Sequence, residues 1–64
     1  MRTAIVHSNF NGRYIDKEIA AKKAAELGGE VCYLWYTNIG VECSFGYAVA
    51  KGDDIIGCDD FKWI

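Results

Sequence analysis

The chain has 64 residues, of which 52% are apolar and 14% aromatic, and its formal net charge is −2. This length predicts a single domain spanning residues 1–64, and the apolar content is sufficient for a packed core. The acidic balance argues against a protein that binds a nucleic-acid backbone directly, because such proteins need a basic face.

The first predicted element is a strand, Arg2 to Ser8, because the apolar run Ala4–Val6 is followed by polar residues. The loop "NFNGR" comes next, since Asn and Gly favour turn conformations. His7, Ser8, Asn9 and Asn11 offer hydrogen-bond donors and acceptors at the end of this strand, where open α/β folds bind ligands. These four residues are the candidate small-molecule contact.

A helix is predicted after this loop, because "DKEIAAKKAAELGG" is rich in strong helix formers. Asp16 can cap its first turn, and Ile15 can pack on Ala20 as a hydrophobic staple. Gly28 is placed to end it. Its apolar stripe is expected to contain Ile19, Ala20, Ala24 and Leu27.

The stretch "EVCYLWYT" predicts a second strand, since it is rich in β-branched and aromatic residues. We expect a type I turn with Asn38 and Ile39 at its centre and Gly40 in the left-handed position. That turn would place Tyr36 opposite Glu42 in a hairpin with the following segment.

The segment Val41–Val49 fits two patterns, because its apolar residues alternate as in a strand and also recur at helical spacing. The strand is favoured by the length of the alternation and by Gly46, which would weaken a helix interior by ~1 kcal/mol. Further on, Ile55–Ile56 and Phe61–Ile64 each predict a short strand, with aspartate pairs at the turns.

The order of elements predicts an α+β domain, β-α-β-β with a short final strand. One helix would pack on one face of an antiparallel sheet to give two layers. The alternative is a βαβαβ half-domain of the doubly wound type. Since one helix cannot cover both faces of a sheet, a homodimer or a protein partner is expected on the other face.

The stretch Gly40–Gly57 resembles a segment of the nucleoside 2-deoxyribosyltransferases. In that family, a glycine is followed by the catalytic glutamate, then by Gly-Tyr-Ala, the end of a helix and a short parallel strand. Gly40 and the stretch "FGYAVAKGDDII" are similar to this segment. Ser44 stands at the position of that glutamate, and Glu42 is displaced from it by two residues. The resemblance therefore implies a catalytically impaired relative that binds a nucleoside or nucleotide.

The three cysteines, Cys32, Cys43 and Cys58, are odd in number and widely spaced, and no CxxC motif occurs. We therefore expect reduced thiols, no zinc or other metal site, and no cofactor. The sequence contains no basic amphipathic run and no long apolar span, so no membrane partner is expected. A cytoplasmic location is expected, without a signal peptide.

Carboxylates and aromatic side chains near the C-terminus predict a protein-binding face, in which Tyr36 and Trp63 are expected to be exposed. An acidic face of this kind can occupy a basic site on another protein. The candidate partner-binding residues are Tyr36, Glu42, Asp53, Asp54, Asp59, Asp60, Phe61 and Trp63.

The leading hypothesis for function is a small, non-enzymatic binding protein that has no catalytic residue. Its size and acidity are similar to those of phage-encoded inhibitors of host protein complexes, such as anti-CRISPR proteins. It would act by occluding a basic surface that binds nucleic acid or docks another protein. The alternatives are the impaired nucleoside-binding relative and a self-assembling homo-oligomer subunit.

Overall fold

The structure is a computed structural model that describes residues 1–7 and 10–64. Within these residues, one helix and five strands form an α+β fold, which confirms the predicted class. The strand order in the sheet is β4-β3-β2-β1-β5. The elements are β1 (Arg2–Val6), α1 (Lys17–Leu27), β2 (Glu30–Asn38), β3 (Val41–Lys51), β4 (Asp54–Ile55) and β5 (Phe61–Trp63).

The sheet is mixed, so the prediction of an antiparallel sheet is wrong. β1 pairs parallel with β2, whereas the β2–β3, β3–β4 and β1–β5 pairs are antiparallel. The physical reason is the helix between β1 and β2, which returns the chain to the end of the sheet where β1 began. The predicted two-layer packing of helix on sheet stays a prediction.

The ambiguous segment is a strand, as predicted: β3 runs from Val41 to Lys51 without a helical turn. The alternative βαβαβ half-domain is therefore wrong in its second half. Its first half is present, because β1, α1 and β2 form one parallel crossover unit.

The ends of α1 follow the sequence signals. The Asp16 carboxylate accepts a hydrogen bond from the Glu18 backbone N–H at 2.8 Å. Gly28 adopts a left-handed φ of 71°, and the Gly29 N–H donates to the Ala24 carbonyl at 2.9 Å. These caps satisfy backbone groups that a helix terminus leaves without partners.

The apolar stripe of α1 is narrower than predicted. Ala20 and Ala24 are buried, whereas Ile19 and Leu27 are exposed. Ile15 is 80% exposed, so the predicted staple onto Ala20 is wrong. Small alanine side chains bring the helix backbone close to β2 and β3, and the larger residues beside them remain at the rim.

The β2–β3 hairpin has a shorter loop than predicted. Only Ile39 and Gly40 lie between the paired residues Asn38 and Val41, with φ values of 52° and 74°. Positive φ at both positions is the requirement of a type I′ turn, whose twist matches that of the strands. The register is therefore displaced from the predicted one, and Tyr36 lies opposite Cys43.

A β-bulge shifts the hairpin register again farther from the turn. Leu34 lies opposite Gly46 and Trp35 opposite Ser44, so that Phe45 is the extra residue. The predicted register, with Tyr36 opposite Glu42, would have placed Tyr33 opposite Phe45, whereas Tyr33 lies opposite Tyr47. Phe45 still shares the face of Cys43 and stacks on Tyr36, with ring centroids 5.3 Å apart. The bulge changes the face of the residues that follow, so that Gly46 and Ala48 lie on this face instead of Tyr47.

The main core lies on one face of the sheet and is covered by the C-terminal segment. Partly buried aromatic residues at positions 10, 36, 45, 61 and 63 pack around it. Its buried members are Ala4, Val6, Cys32, Leu34, Ala48, Ala50, Ile55 and Cys58. The sheet curls around this cluster, so that the two outermost strands approach each other.

α1 is the only helix among residues 1–7 and 10–64, and it is too short and too polar to cross a lipid bilayer.

Candidate partner-binding surface

The four C-terminal aspartates are exposed and fall into two pairs. Asp53 and Asp54 lie at the start of β4, beside the first residue of β1, because Arg2 contacts Asp53. Asp59 and Asp60 precede β5 and lie beyond the last residue of β1, since the His7 N–H donates to the Asp60 carbonyl at 3.2 Å. The two pairs are therefore separated by the length of β1, about 15 Å.

Few cations neutralise these carboxylates. The Arg2 guanidinium lies 3.4 Å from the Asp53 carboxylate, whose side chain is still 96% exposed. Among the described residues, no lysine or arginine forms an ion pair with Asp54, Asp59 or Asp60. These three carboxylates face solvent with their charge uncompensated at short range, and they can attract a cationic surface.

Glu42 does not join the aspartates. It is exposed near the tip of the β2–β3 hairpin, nine positions along β3 from Lys51, which pairs with Asp54. Nine residues of strand span about 30 Å. The predicted acidic patch is therefore confined to the four aspartates, and Glu42 marks a different surface.

The aromatic residues expected at this surface are less exposed than predicted. Tyr36 and Trp63 are both half-buried, so the prediction that they are exposed is wrong. Tyr36 is covered because it stacks on Phe45. Phe61 is also half-buried and packs edge-on against Trp63, with ring centroids 5.4 Å apart. These side chains contribute mainly to the packing of the fold.

Arg2 and Trp63 form a cluster that closes the curled sheet. The Arg2 guanidinium carbon lies 3.7 Å from the centroid of the Trp63 ring, and its Nη1 donates to the Gly52 carbonyl at 2.7 Å. Sequence reasoning missed Arg2, because its contacts lie about fifty positions away and no local pattern indicates them.

The candidate ligand loop is described only in part, since Ser8 and Asn9 lie outside the described residues. His7 and Asn11 are both exposed. Gly12, next to Asn11, packs closely against the segment that follows β4: a Cβ placed on Gly12 would lie 2.7 Å from the Ile56 carbonyl oxygen. The described part of the loop therefore packs against the C-terminal segment.

The thiols differ in environment. Cys32 and Cys58 are buried, and burial raises the pKa of each thiol above its ordinary value. Cys43 is exposed near the hairpin tip. A cysteine must be accessible to react with a reagent in solution, and Cys32 and Cys58 are buried. Cys43 is therefore the thiol that a reagent can reach.

The hairpin presents a second surface, which sequence reasoning also missed: the outer edge of β3. Tyr47 exchanges two backbone hydrogen bonds of 2.7 Å with Tyr14 on this edge. Bonded and non-bonded pairs alternate along an antiparallel ladder. The extra residue Phe45 shifts this alternation by one position, so the backbone groups of Ser44 and Glu42 also point outward, and no described residue is hydrogen-bonded to them.

Arg13 marks the point where the open part of this edge ends. Its guanidinium lies 4.4 Å from the centroid of the Phe45 ring, and its Nη1 donates to the Phe45 carbonyl at 2.9 Å. From Phe45 onward the outer edge is covered by residues 13 and 14. The hydroxyl of Ser44 hydrogen-bonds to that of Tyr33 on the face of the hairpin.

Within residues 1–7 and 10–64, no group of three or more His, Cys, Asp or Glu side chains is placed to hold a metal ion, and no cavity is enclosed. No protein family model, curated protein or solved structure matches this chain.

Proposed function

We propose that this protein is a small acidic binding protein, without enzymatic activity, that docks on a basic surface of a host protein complex and occludes it. Phage-type inhibitors such as anti-CRISPR proteins act on surfaces of this kind. The observation that carries the proposal is the exposure of Asp54, Asp59 and Asp60 without an ion-pair partner among the described residues.

Electrostatics supports a protein target with a basic site. Exposed carboxylates attract lysine and arginine over several ångströms, and this attraction speeds encounter and is weakened by salt. The two aspartate pairs are separated by about the length of β1, which suits two basic positions on a target better than one point charge. A site that ordinarily binds the phosphates of a nucleic acid has this character.

The aromatic residues take a supporting role in this proposal. Phe61 and Trp63 are half-buried and hold β5 between the aspartate pairs. Their exposed parts add apolar contact next to the charges, as at the centres of many protein interfaces.

The proposal is tested by capture of the target from a bacterial lysate with the tagged protein at low and high salt. The informative variant is Asp59→Asn/Asp60→Asn, and the matched control is Glu26→Gln/Glu30→Gln, which changes the net charge equally at exposed positions elsewhere. We expect one stoichiometric partner with the wild type and the control, its release at high salt, and its loss in the aspartate variant.

Occlusion is then tested by competition. The captured partner should lose its nucleic acid or its docking protein as this protein is added, and the aspartate variant should displace less. Equal capture by both double variants would contradict the proposal.

The nucleoside-binding alternative has a separate test. A nucleoside at about one hundred times its dissociation constant would add about 2.7 kcal/mol to the free energy of unfolding. Thermal melting with a panel of nucleosides and NAD detects a change of that size.

A further inference from the structure

The outer edge of β3 near the hairpin tip is an unpaired strand edge. The backbone N–H and C=O groups of Glu42 and Ser44 point away from β2, and no described residue pairs with them. Side chains at 41–44 are all exposed, and Val41 is 60% exposed. An open edge of this kind pairs readily with another strand.

We propose that the β3 edges of two copies of this chain pair antiparallel about Cys43, which joins their sheets into one continuous sheet. In this arrangement Glu42 of each copy exchanges backbone hydrogen bonds with Ser44 of the other. Cys43 then lies directly opposite Cys43 of the second copy, in a non-hydrogen-bonded position. The inference is independent of whether the aspartates bind a host protein.

Charge selects this register among those that the edge allows. A register centred on residue 42 would place two Glu42 carboxylates directly opposite each other, which is destabilising. A register centred on residue 44 would place Glu42 of the second copy against Gly46, where Tyr14 and Arg13 already occupy the edge. The register centred on Cys43 places Glu42 against the neutral Ser44, so no like charges lie directly opposite each other.

The side chains support the same register. Val41, Cys43 and Phe45 share the face that carries Tyr36, since Cys43 lies opposite Tyr36 and Phe45 stacks on it. Pairing about Cys43 places Val41 of one copy opposite Phe45 of the other. The exposed apolar surface of Val41 is thereby covered, and cross-strand pairs of an aromatic and a β-branched residue are favourable.

The first test uses Cys43 as a reporter of register. Residues in a non-hydrogen-bonded pair have Cα atoms about 4.5 Å apart, within the range of a disulfide. Diamide is the oxidant: it takes one hydrogen from each Cys43 thiol to become a hydrazine, and the two sulfurs form one bond. Rapid formation of a disulfide-linked dimer is expected, and Cys43→Ser should abolish it.

The matched control is Val41→Cys/Cys43→Ser, which keeps one exposed thiol on the same face of the same strand. In the proposed register, the Cα atoms of the two cysteines introduced at position 41 lie about 13 Å apart. This distance is too long for a disulfide. Cross-linking should therefore be at least about tenfold slower than through Cys43. Equal rates for the two proteins would indicate random collision and overturn the proposal.

The second test measures dimerisation by analytical ultracentrifugation under reducing conditions. Glu42→Pro removes an outward N–H and is tolerated at a strand edge, whereas Glu42→Gln keeps that N–H. We expect a monomer for the first variant and a dimer for the second, both with unchanged circular dichroism.

Charge variants at Ser44 keep the test decisive if the proline variant fails to fold. Ser44→Glu should raise the dimer dissociation constant about fivefold and Ser44→Lys should lower it by about the same factor, since two symmetric pairs with Glu42 change together. A wild-type monomer at every concentration, or a dimer that responds to neither charge, overturns the proposal.

Discussion

The indole N–H of Trp63 donates a hydrogen bond to the backbone carbonyl of Asp53 at 2.8 Å. Trp63 lies in β5 and Asp53 immediately precedes β4, and these are the two outermost strands of the sheet. One side chain therefore connects the two ends of the strand order, and the Arg2 guanidinium lies against the same ring. This contact holds the sheet in its curled shape around the core.

Truncation of Trp63 should lower stability rather than act on binding alone. Trp63→Ala is expected to reduce the free energy of unfolding by about 2 kcal/mol, roughly half the loss for a fully buried tryptophan, because the ring is half-buried. Trp63→Phe keeps a ring for Arg2 but loses the hydrogen bond and part of the ring packing, at least about 1 kcal/mol. Urea unfolding measures both, and equal stability of wild type and Trp63→Ala would contradict the role of this contact.

Ile39 carries the only positive φ of a non-glycine residue in the described chain, at 52°, and its side chain is 94% exposed. A left-handed conformation costs an ordinary residue about 1–2 kcal/mol, and asparagine tolerates it better. Ile39→Asn creates the Asn-Gly sequence favoured in type I′ turns, so we expect stability to rise by about 1 kcal/mol. Thermal melting of this variant is the measurement.

The control for the turn is Ile39→Ala, which removes the exposed apolar side chain without any preference for the left-handed region. It should leave the melting temperature nearly unchanged. If alanine stabilises as much as asparagine, the gain comes from removing apolar surface and not from the backbone.

Gly46 lies where the chain before α1 crosses β3. Its φ is 138°, and a Cβ there would lie 2.7 Å from the Tyr14 carbonyl oxygen. Gly46→Ala should cost about 3 kcal/mol or prevent folding, because the backbone strain and the displacement of Tyr14 add. Lys51→Ala, at the exposed end of the same strand, should change stability by less than about 0.5 kcal/mol. A folded Gly46→Ala with wild-type stability in urea would contradict this packing.

The buried thiol of Cys32 predicts a loss of stability at alkaline pH. Burial raises its pKa in the folded chain above the ordinary value of 9.0. The unfolded chain therefore releases this proton first as the pH rises. The stabilising contribution is complete below pH 9.0 and is lost as the pH rises through the folded pKa.

The pH dependence is measured by urea unfolding of wild type and Cys32→Ala between neutral pH and the alkaline range. The free energy of unfolding should fall more steeply with pH in the wild type than in the variant, since the Cys32 thiol is the only group that differs between the two proteins. Cys43→Ala is the control and should follow the wild type. Parallel curves for Cys32→Ala and wild type would show that this thiol does not titrate differently on folding.

The local signals of the sequence were reliable where a few neighbouring residues decide the structure. Asp16 and Gly28 cap the helix as predicted, since each acts on backbone groups within a turn. The strand predicted at Val41–Val49 from its alternation and from Gly46 is present as part of β3, which extends to Lys51. The four aspartates of the C-terminal segment are exposed, in keeping with the acidic face predicted there, because charged side chains remain in water.

The strand register, the strand direction and the exposure of side chains depend on contacts between residues that are distant in the sequence. The bulge at Phe45 and the two-residue turn at Ile39 moved the β2–β3 pairing away from the predicted register. Trp63, expected at the surface, is held by Arg2 and Asp53, which local sequence does not connect to it. The open edge of β3 exists because residues 13 and 14 cover that edge only from Phe45 onward.

By itself, the sequence determined the α+β class, the bounds of the helix and the grouping of four aspartates in the C-terminal segment. Periodicity, capping and charge are properties of neighbouring residues, so they can be read without knowing what packs against them. Only the tertiary structure decided the parallel pairing of β1 with β2, the curl closed by Trp63 and the free edge at Glu42 and Ser44. Each of these depends on contacts between distant parts of the chain, whose free energy is gained only when the whole sheet forms.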